Sequence, residues 1–336
     1  MIKKLVFGVV AVLVLLLSVL LGLQVGSFQA DTPQVLQALL NYNPENPVHF
    51  AIIELRLPRL LLAFTVGASL AFAGYLMQAM VNNALADPFI MGTASGASLG
   101  AASCFFLLGN LTFAGYYQPP LGAFVGALLV TGLVVALGYR KGQLMPSQML
   151  LAGIALSSLL TALIGLRSFL SQGEGQLRAI IFWMMGGFEQ ANWRTLPYPA
   201  LALLISLILY YFLQKQVNIL LLGATRADAL GVNIRKLRWL MLGTISVVTG
   251  FAVALAGPVG FVGLIVPHIT RSLVGAAGKT NLLLCAFIGG TFVLLCDLLA
   301  RGLYPPAGVP IGIITALFGV PFFVYLLLRK NYKFNE

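Results

Sequence analysis

Apolar residues run almost unbroken through long stretches of this chain, and the breaks between them are short, basic and rich in glycine or proline. Strong apolar spans lie near 5–26, 60–81, 121–139, 149–166, 197–213, 239–256 and 310–328; weaker, glycine-rich or interrupted ones lie near 89–108, 258–275 and 282–296. A helix needs about 20 apolar residues to cross the hydrocarbon core of a bilayer, so the pattern predicts ten transmembrane helices. Two segments fit neither a span nor a plain loop. Residues 176–188, QLRAIIFWMMGGF, are apolar but too short to cross and end in Gly186-Gly187, which predicts a re-entrant or interfacial half-helix on the outer side. Residues 219–238, ILLLGATRADALGVNIRKLR, are amphipathic and broken at Gly223 and Gly231, which predicts two short helices at the cytoplasmic surface. No stretch is long and polar enough to form a separate soluble domain, so residues 1–336 read as one all-α integral membrane domain.

Composition sharpens this reading. Of the 336 residues 60% are hydrophobic and only 9% charged, where a soluble domain carries roughly 25% charged residues. The net charge of +11 would suit a nucleic-acid binder, but the basic residues sit in short clusters between apolar runs, not along one helix face. They mark cytoplasmic loops instead. Ten spans put both termini on one side, with Lys3-Lys4 and the tail Arg329-Lys330-Asn331-Tyr332-Lys333 in the cytoplasm. Arg140-Lys141, Lys215, Arg226, Arg235-Lys236, Arg238, Arg271 and Lys279 join them, giving fourteen of the twenty basic residues inside. The six outside are Arg56, Arg59, Arg167, Arg178, Arg194 and Arg301, beside most of the acids (Asp31, Glu45, Glu54, Glu174, Glu189 and Asp297). The run from Leu5 to Gln29 exceeds a signal-peptide core and lacks a cleavage site of small residues, so it reads as the first span. The pattern predicts a multi-pass protein with both termini on the cytoplasmic side of its membrane.

Candidate chemistry is sparse. A charge at the bilayer centre costs roughly 2.5–3.5 kcal/mol on insertion scales, and here Asp87, Asp228 and Asp297 fall at loops or span ends. An ion-coupled relay therefore has no evident residue to run on. Gly275-Ala-Ala-Gly278-Lys279-Thr280 places only two residues between its glycines, where a phosphate loop needs four after a strand, so it reads as a cytoplasmic turn. No Ser/His/Asp, HExxH or paired-carboxylate arrangement lies in the spans, which argues against an enzyme. Cys104, Cys285 and Cys296 have neither disulfide nor zinc spacing, and His49 and His268 read as structural rather than metal-binding. Gly92, Gly96 and Gly100, four apart, read as a helix-packing stripe. The pattern GxxxAxAG occurs at Gly67–Gly74 and again at Gly250–Gly257, as an inverted repeat or by chance. Arg56 and Arg59 precede a span on the outer side. They suit snorkelling anchors or a basic rim that steers an acidic partner.

Several segments together carry a more specific signal. RLPRLLLAFTVGASLAFAGYLMQAMVNNALADPFIMGTASGASLGA (56–101), QMLLAGIAL (148–156), FWMMGGF (182–188), ALGVNIRKLRW (229–239), GPVGFVGLIVPHITR (257–271), DLLAR (297–301) and VPIGIITALFGVPFFVYLLLR (309–329) occur in this order. The chain from about residue 50 resembles the FecCD-type permeases of ABC importers for iron-siderophores, haem and vitamin B12. The resemblance implies a vitamin-B12-permease-like fold of ten helices and a homodimer with a central pathway. It also implies two cytoplasmic ABC ATPase subunits, which bind ATP and Mg, and an extracytoplasmic substrate-binding protein; no cofactor is implied in this chain. Carried over residue by residue, it places Arg56, Arg59 and Arg301 at the binding-protein docking surface and Leu85 and Ser147 at the cytoplasmic gate. Pro146 stands where the vitamin B12 member has a hydroxyl residue. Within residues 219–236 it places Ala224, Arg226, Ala229, Leu230, Gly231 and Val232 on the ATPase-coupling helices. The implied cargo is an iron complex, siderophore or haem, or a cobalamin-like molecule moved by ATP-driven alternating access. An ion-coupled secondary transporter for an apolar or zwitterionic solute is the alternative.

Overall fold

The computed structural model describes residues 2–26, 29–107, 112–113, 116–140, 143–170, 174–275, 278, 280–305 and 307–328. Lys141, Lys279 and the tail from Arg329 lie outside the described residues, as do the side chains of Lys3 and Lys4.

The chain begins with α1 (Ile2–Gln24), followed by two short helices, α2 (Thr32–Leu40) and α3 (Pro47–Phe50). A π-helical turn, Ala51–Arg56, leads without a break into α4 (Leu57–Val81). A 3₁₀ turn, Pro88–Met91, precedes α5 (Thr93–Leu107), α6 (Gln118–Gly138) and α7 (Pro146–Leu170). Next come α8 (Glu174–Met185), α9 (Pro197–Leu220) and the six-residue α10 (Ala224–Ala229). The bundle closes with α11 (Ile234–Ala256), α12 (Val262–Val274), α13 (Asn281–Leu303) and α14 (Ile311–Leu328). Two-residue antiparallel ladders, Thr112–Phe113 with Tyr116–Tyr117 and Tyr139–Arg140 with Gln143–Leu144, are the strands among the described residues.

Helices α1, α4, α5, α6, α7, α9, α11, α12, α13 and α14 lie at the ten apolar stretches, and α8 is the short half-helix before Gly186. Among the described residues six of them, α4, α6, α7, α9, α11 and α13, are long and apolar enough to cross a membrane, while α5 and α12 have only 15 and 13 residues. The span expected near 282–296 is longer than its hydropathy suggests. It runs 23 residues to Leu303, which places Asp297 and Arg301 inside the helix.

The centre of the bundle is α4. Of its apolar window 89% is buried, against 22% for α7 and 28% for α9. Hydrocarbon gives apolar helices no reason to leave lipid for each other, so close packing of small residues has to hold them. Gly67 of α4 meets Gly289 of α13, and Gly74 meets Gly263 of α12. A Cβ at Gly67 would lie 2.3 Å from Gly289 O, and one at Gly74 would lie 2.0 Å from Gly263 O. The same device joins α5 to α6, where Gly96 faces Gly126 and Gly100 faces Gly122. The GxxxAxAG echo does not carry over to these contacts. Gly250 meets the Phe124 ring, and Gly257 ends α11 at φ +64°. The outward face of α6 carries Leu121, Val125, Leu129, Leu133 and Leu137 at a spacing of four, a stripe suited to acyl chains.

Candidate functional site

Polar side chains gather at the two ends of the bundle. At one end, α4 and α13 bring together the three arginines singled out in the sequence. Arg56 closes the π-helical turn and is only 6% exposed. Its Nη1 donates to Leu23 O at 2.7 Å and Gln24 O at 2.9 Å. Arg301 Nη1 donates to Gly22 O at 3.3 Å and Val25 O at 3.1 Å. The last four carbonyls of a helix have no partner within it and carry partial negative charge. Two guanidinium groups from other helices therefore cap the end of α1.

Arg59 has different partners. Its Nε and Nη2 donate to Asp297 Oδ1 at 3.1 and 2.8 Å, a bidentate grip on a carboxylate that is 0% exposed. Arg301 Nε lies 3.1 Å from Asp297 Oδ2 without hydrogen-bond alignment. Arg59 Nη2 also reaches Glu189 Oε1 at 3.4 Å, and Glu189 is 62% exposed. Arg59 and Arg301 thus share Asp297, and Arg59 alone reaches Glu189. The sequence reading grouped Glu189 and Asp297 with the outer acids and gave them no role. The signal for Asp297 lay in DLLAR, where it stands four residues before Arg301.

At the opposite end, Asn82 stops α4 in the left-handed region at φ +55°. The following loop is self-braced, with Leu85 N donating to Asn83 Oδ1 at 2.9 Å and Phe89 N donating to Asp87 Oδ1 at 2.8 Å. Burial pushes the Asp87 carboxyl up to about 6, against the opposing pull of the Phe89 N–H. Leu85 is half-buried, and Ser147 is exposed in the first turn of α7. The 3₁₀ turn that follows the Leu85 loop meets α7 where Gly153 admits the carbonyl of Ile90; a Cβ there would lie 1.8 Å from it.

Residues 219–238 fold as the end of α9, then α10, then the first turn of α11, with Gly223 and Gly231 at positive φ as the two breaks. Ala227, Val232 and Leu237 are buried and pin this segment to the bundle. Ala229, Leu230 and Gly231 face outward beside Arg226 and Asp228, and Ala224 is half-buried at the start of α10. Leu230 is 61% exposed, an apolar side chain flanked by the charged Arg226 and Asp228.

An open cavity of about 610 Å³ is bounded by α8, the α11–α12 connection and α14. Met184, Met185, Pro258, Phe261, Leu317 and Pro321 contribute to its wall, and none of its lining residues is ionisable. Phe261 adopts a left-handed conformation, φ +67°, to cap α12, and its ring covers Gly319 of α14. Deeper in the bundle, Gln78 Nε2 donates to Gly263 O at 3.1 Å, and Arg271 donates to Gln78 Oε1. The histidines serve packing contacts. His49 is buried and accepts from Asn43 N, and His268 meets Phe322 edge-on.

Compared with known proteins, the sequence matches the FecCD transport family over residues 14–329. A hemin transport system permease of Yersinia pestis is 38% identical over 302 residues, covering 88% of each chain. A molybdate import system permease of Haemophilus influenzae is 34% identical, covering 99% of this chain and 98% of its own. Among solved structures, a metal-chelate type ABC transporter in an inward-facing conformation superposes with a TM-score of 0.81. It is 33% identical and covers 96% of this chain and 98% of its own.

Proposed function

The chain belongs to the FecCD transport family and is a permease of the ABC-importer type, and from that premise we propose that two identical copies form the path for an iron chelate. The chelate is a siderophore complex or haem, with a cobalamin-like molecule as the close variant. It is moved inward across the cytoplasmic membrane by ATP-driven alternating access. The positive-inside rule orients the chain with both termini and α10 in the cytoplasm and the arginine cluster outside. Two separate ATPase subunits bind ATP and Mg, and each meets Ala224, Arg226, Ala229, Leu230 and Gly231, with the buried Val232 expected in the sequence reading holding this surface from behind. Leu85 and Ser147 lie at the cytoplasmic gate. An extracytoplasmic binding protein docks at Arg59, with Arg56 and Arg301 behind it.

The observation that supports this reading is the uncharged wall of the open cavity between α8 and α14. A bare ion or oxyanion would need compensating charge along its path, whereas a chelate brings its own organic shell. An ion-coupled mechanism finds little support, because Asp297 is held by Arg59 and Arg301 and Asp87 caps the 3₁₀ turn through Phe89 N.

The test is reconstitution in proteoliposomes with the partner ATPase and binding protein, following ATP-dependent uptake of a radiolabelled ferric chelate. Leu230→Asp places a charge on the coupling surface without touching the core. It is expected to lower uptake and ATP hydrolysis at least tenfold while the chain remains folded. Uptake by the chain alone on a proton or sodium gradient would overturn the proposal.

A further inference from the structure

The arginine cluster holds an asymmetry that docking alone does not explain. Asp297 is buried inside α13 and fixed between two guanidinium groups. Glu189 is mostly exposed, reaches Arg59 from the turn between α8 and α9, and sits at the long limit of a hydrogen bond, 3.4 Å. An exposed ion pair of this kind is weak. Of the three guanidinium groups, those of Arg56 and Arg301 are committed to the carbonyls of α1. Arg59 is therefore the guanidinium from which a carboxylate can most readily be exchanged.

The turn that carries Glu189 also matters. Gly187 N donates to Ala256 O at 2.9 Å, and Ile311 N donates to Gly186 O at 3.2 Å. This joins the end of α8 to the end of α11 and the start of α14, three elements around the apolar cavity. A second tie, from Trp193 Nε1 to Ile53 O at 2.9 Å, fixes the far side of the turn to the approach to α4. Breaking the Arg59–Glu189 contact would therefore free the Glu189 side chain alone, because these ties and the buried Phe188 hold the turn in place.

We propose that Glu189 is an internal latch on Arg59, displaced when a carboxylate of the docking protein takes its place, on a turn that itself stays fixed. The proposal rests on the docking reading above. It takes the partner group to be a carboxylate, because the group it displaces from Arg59 is one.

The structure supplies two ways to open the latch. Glu189→Gln removes its charge. Gly187→Ala keeps the charge but fills its place, since a Cβ at Gly187 would lie 2.0 Å from Glu189 Oε2 and 2.8 Å from Cδ. Those atoms are the end of a flexible chain and can swing away. Gly187 has no positive φ, so alanine fits its backbone. Glu45→Gln is the control, because it removes an equal charge from an exposed outer residue not in contact with Arg59.

The measurement uses the assembled importer in nanodiscs and the binding protein that stimulates its ATP hydrolysis, and reads the binding-protein concentration giving half-maximal stimulation. Glu189→Gln and Gly187→Ala are each expected to lower that concentration by about two- to fivefold, and Glu45→Gln to lower it less. If Gly187→Ala matches wild type, or both variants need more binding protein, the latch is wrong. If Arg59→Glu also leaves stimulation unchanged, or no binding protein stimulates the wild type, the docking reading falls with it.

Discussion

Replacing Asp297 by alanine tests how the arginine end is held together. The carboxylate is 0% exposed and lies 2.8 Å from Arg59 Nη2 and 3.1 Å from Arg301 Nε, while those two side chains are themselves only 20% and 10% exposed. Removing one partner of a buried pair costs about 3–5 kcal/mol, because the other is left charged and poorly solvated. Two features reduce the loss. Arg301 keeps the α1 carbonyls, and Arg59 keeps Glu189, an exposed partner worth about 0–1 kcal/mol. A net loss of about 3 kcal/mol is therefore expected. Reversible unfolding in mixed micelles would measure it. The thiol of Cys296, 1% exposed and adjacent in sequence, gives a local readout through its labelling rate. Adding Arg59→Met to Asp297→Ala should recover part of the loss, since the unpaired charge goes too. A loss under about 1 kcal/mol with Cys296 still protected would refute the reasoning.

Two further outcomes are expected. Gly100→Ala should destabilise by about 1–3 kcal/mol, because the obstacle 2.0 Å from its Cβ is the backbone carbonyl of Gly122; Gly132→Ala in α6, with open space around it, should be neutral or slightly stabilising, and thermal midpoints in detergent would separate the two. Asp87 titrates near 6 in the folded chain instead of near 3.8, so the folded state holds a proton that the unfolded state has lost, and stability should fall as pH rises from about 4 to 6 and then level off. Asp87→Asn should flatten that slope in midpoints taken across the window, and an unchanged slope would remove Asp87 from the account.

Much of this architecture was legible in the sequence, because the requirement for about 20 apolar residues per crossing leaves few other readings. The half-helix α8 was visible in the length of its apolar run and in Gly186-Gly187. The glycine stripe Gly92–Gly100 read as packing, and Gly96 and Gly100 do face α6. The arginines were legible as outer residues but not as partners, since Arg59 and Asp297 are separated by 238 positions and no local pattern links them. The capping of α1 by Arg56 and Arg301 was equally hidden, because a backbone carbonyl leaves no mark on the sequence. The length of α13 was underestimated where Asp297 and Arg301 lower its hydropathy, a drop that mutual pairing within the helix explains. The amphipathic segment read as two surface helices resolves into α10 and the first turn of α11, its breaks at the two glycines foreseen.

The central position of α4 has a consequence for biosynthesis. This helix is made early, yet Gly263 and Gly289, which close against its glycines, emerge some two hundred residues later. Until then Gln78, whose amide is fully buried and donates to Gly263 O, must sit in the membrane without its partners. A nascent chain stalled before α12 would therefore present lipid with an unfilled groove and an unsatisfied amide. Such features distinguish an incomplete permease from a finished one, and they make the second half of the chain the step that commits the first half to its place.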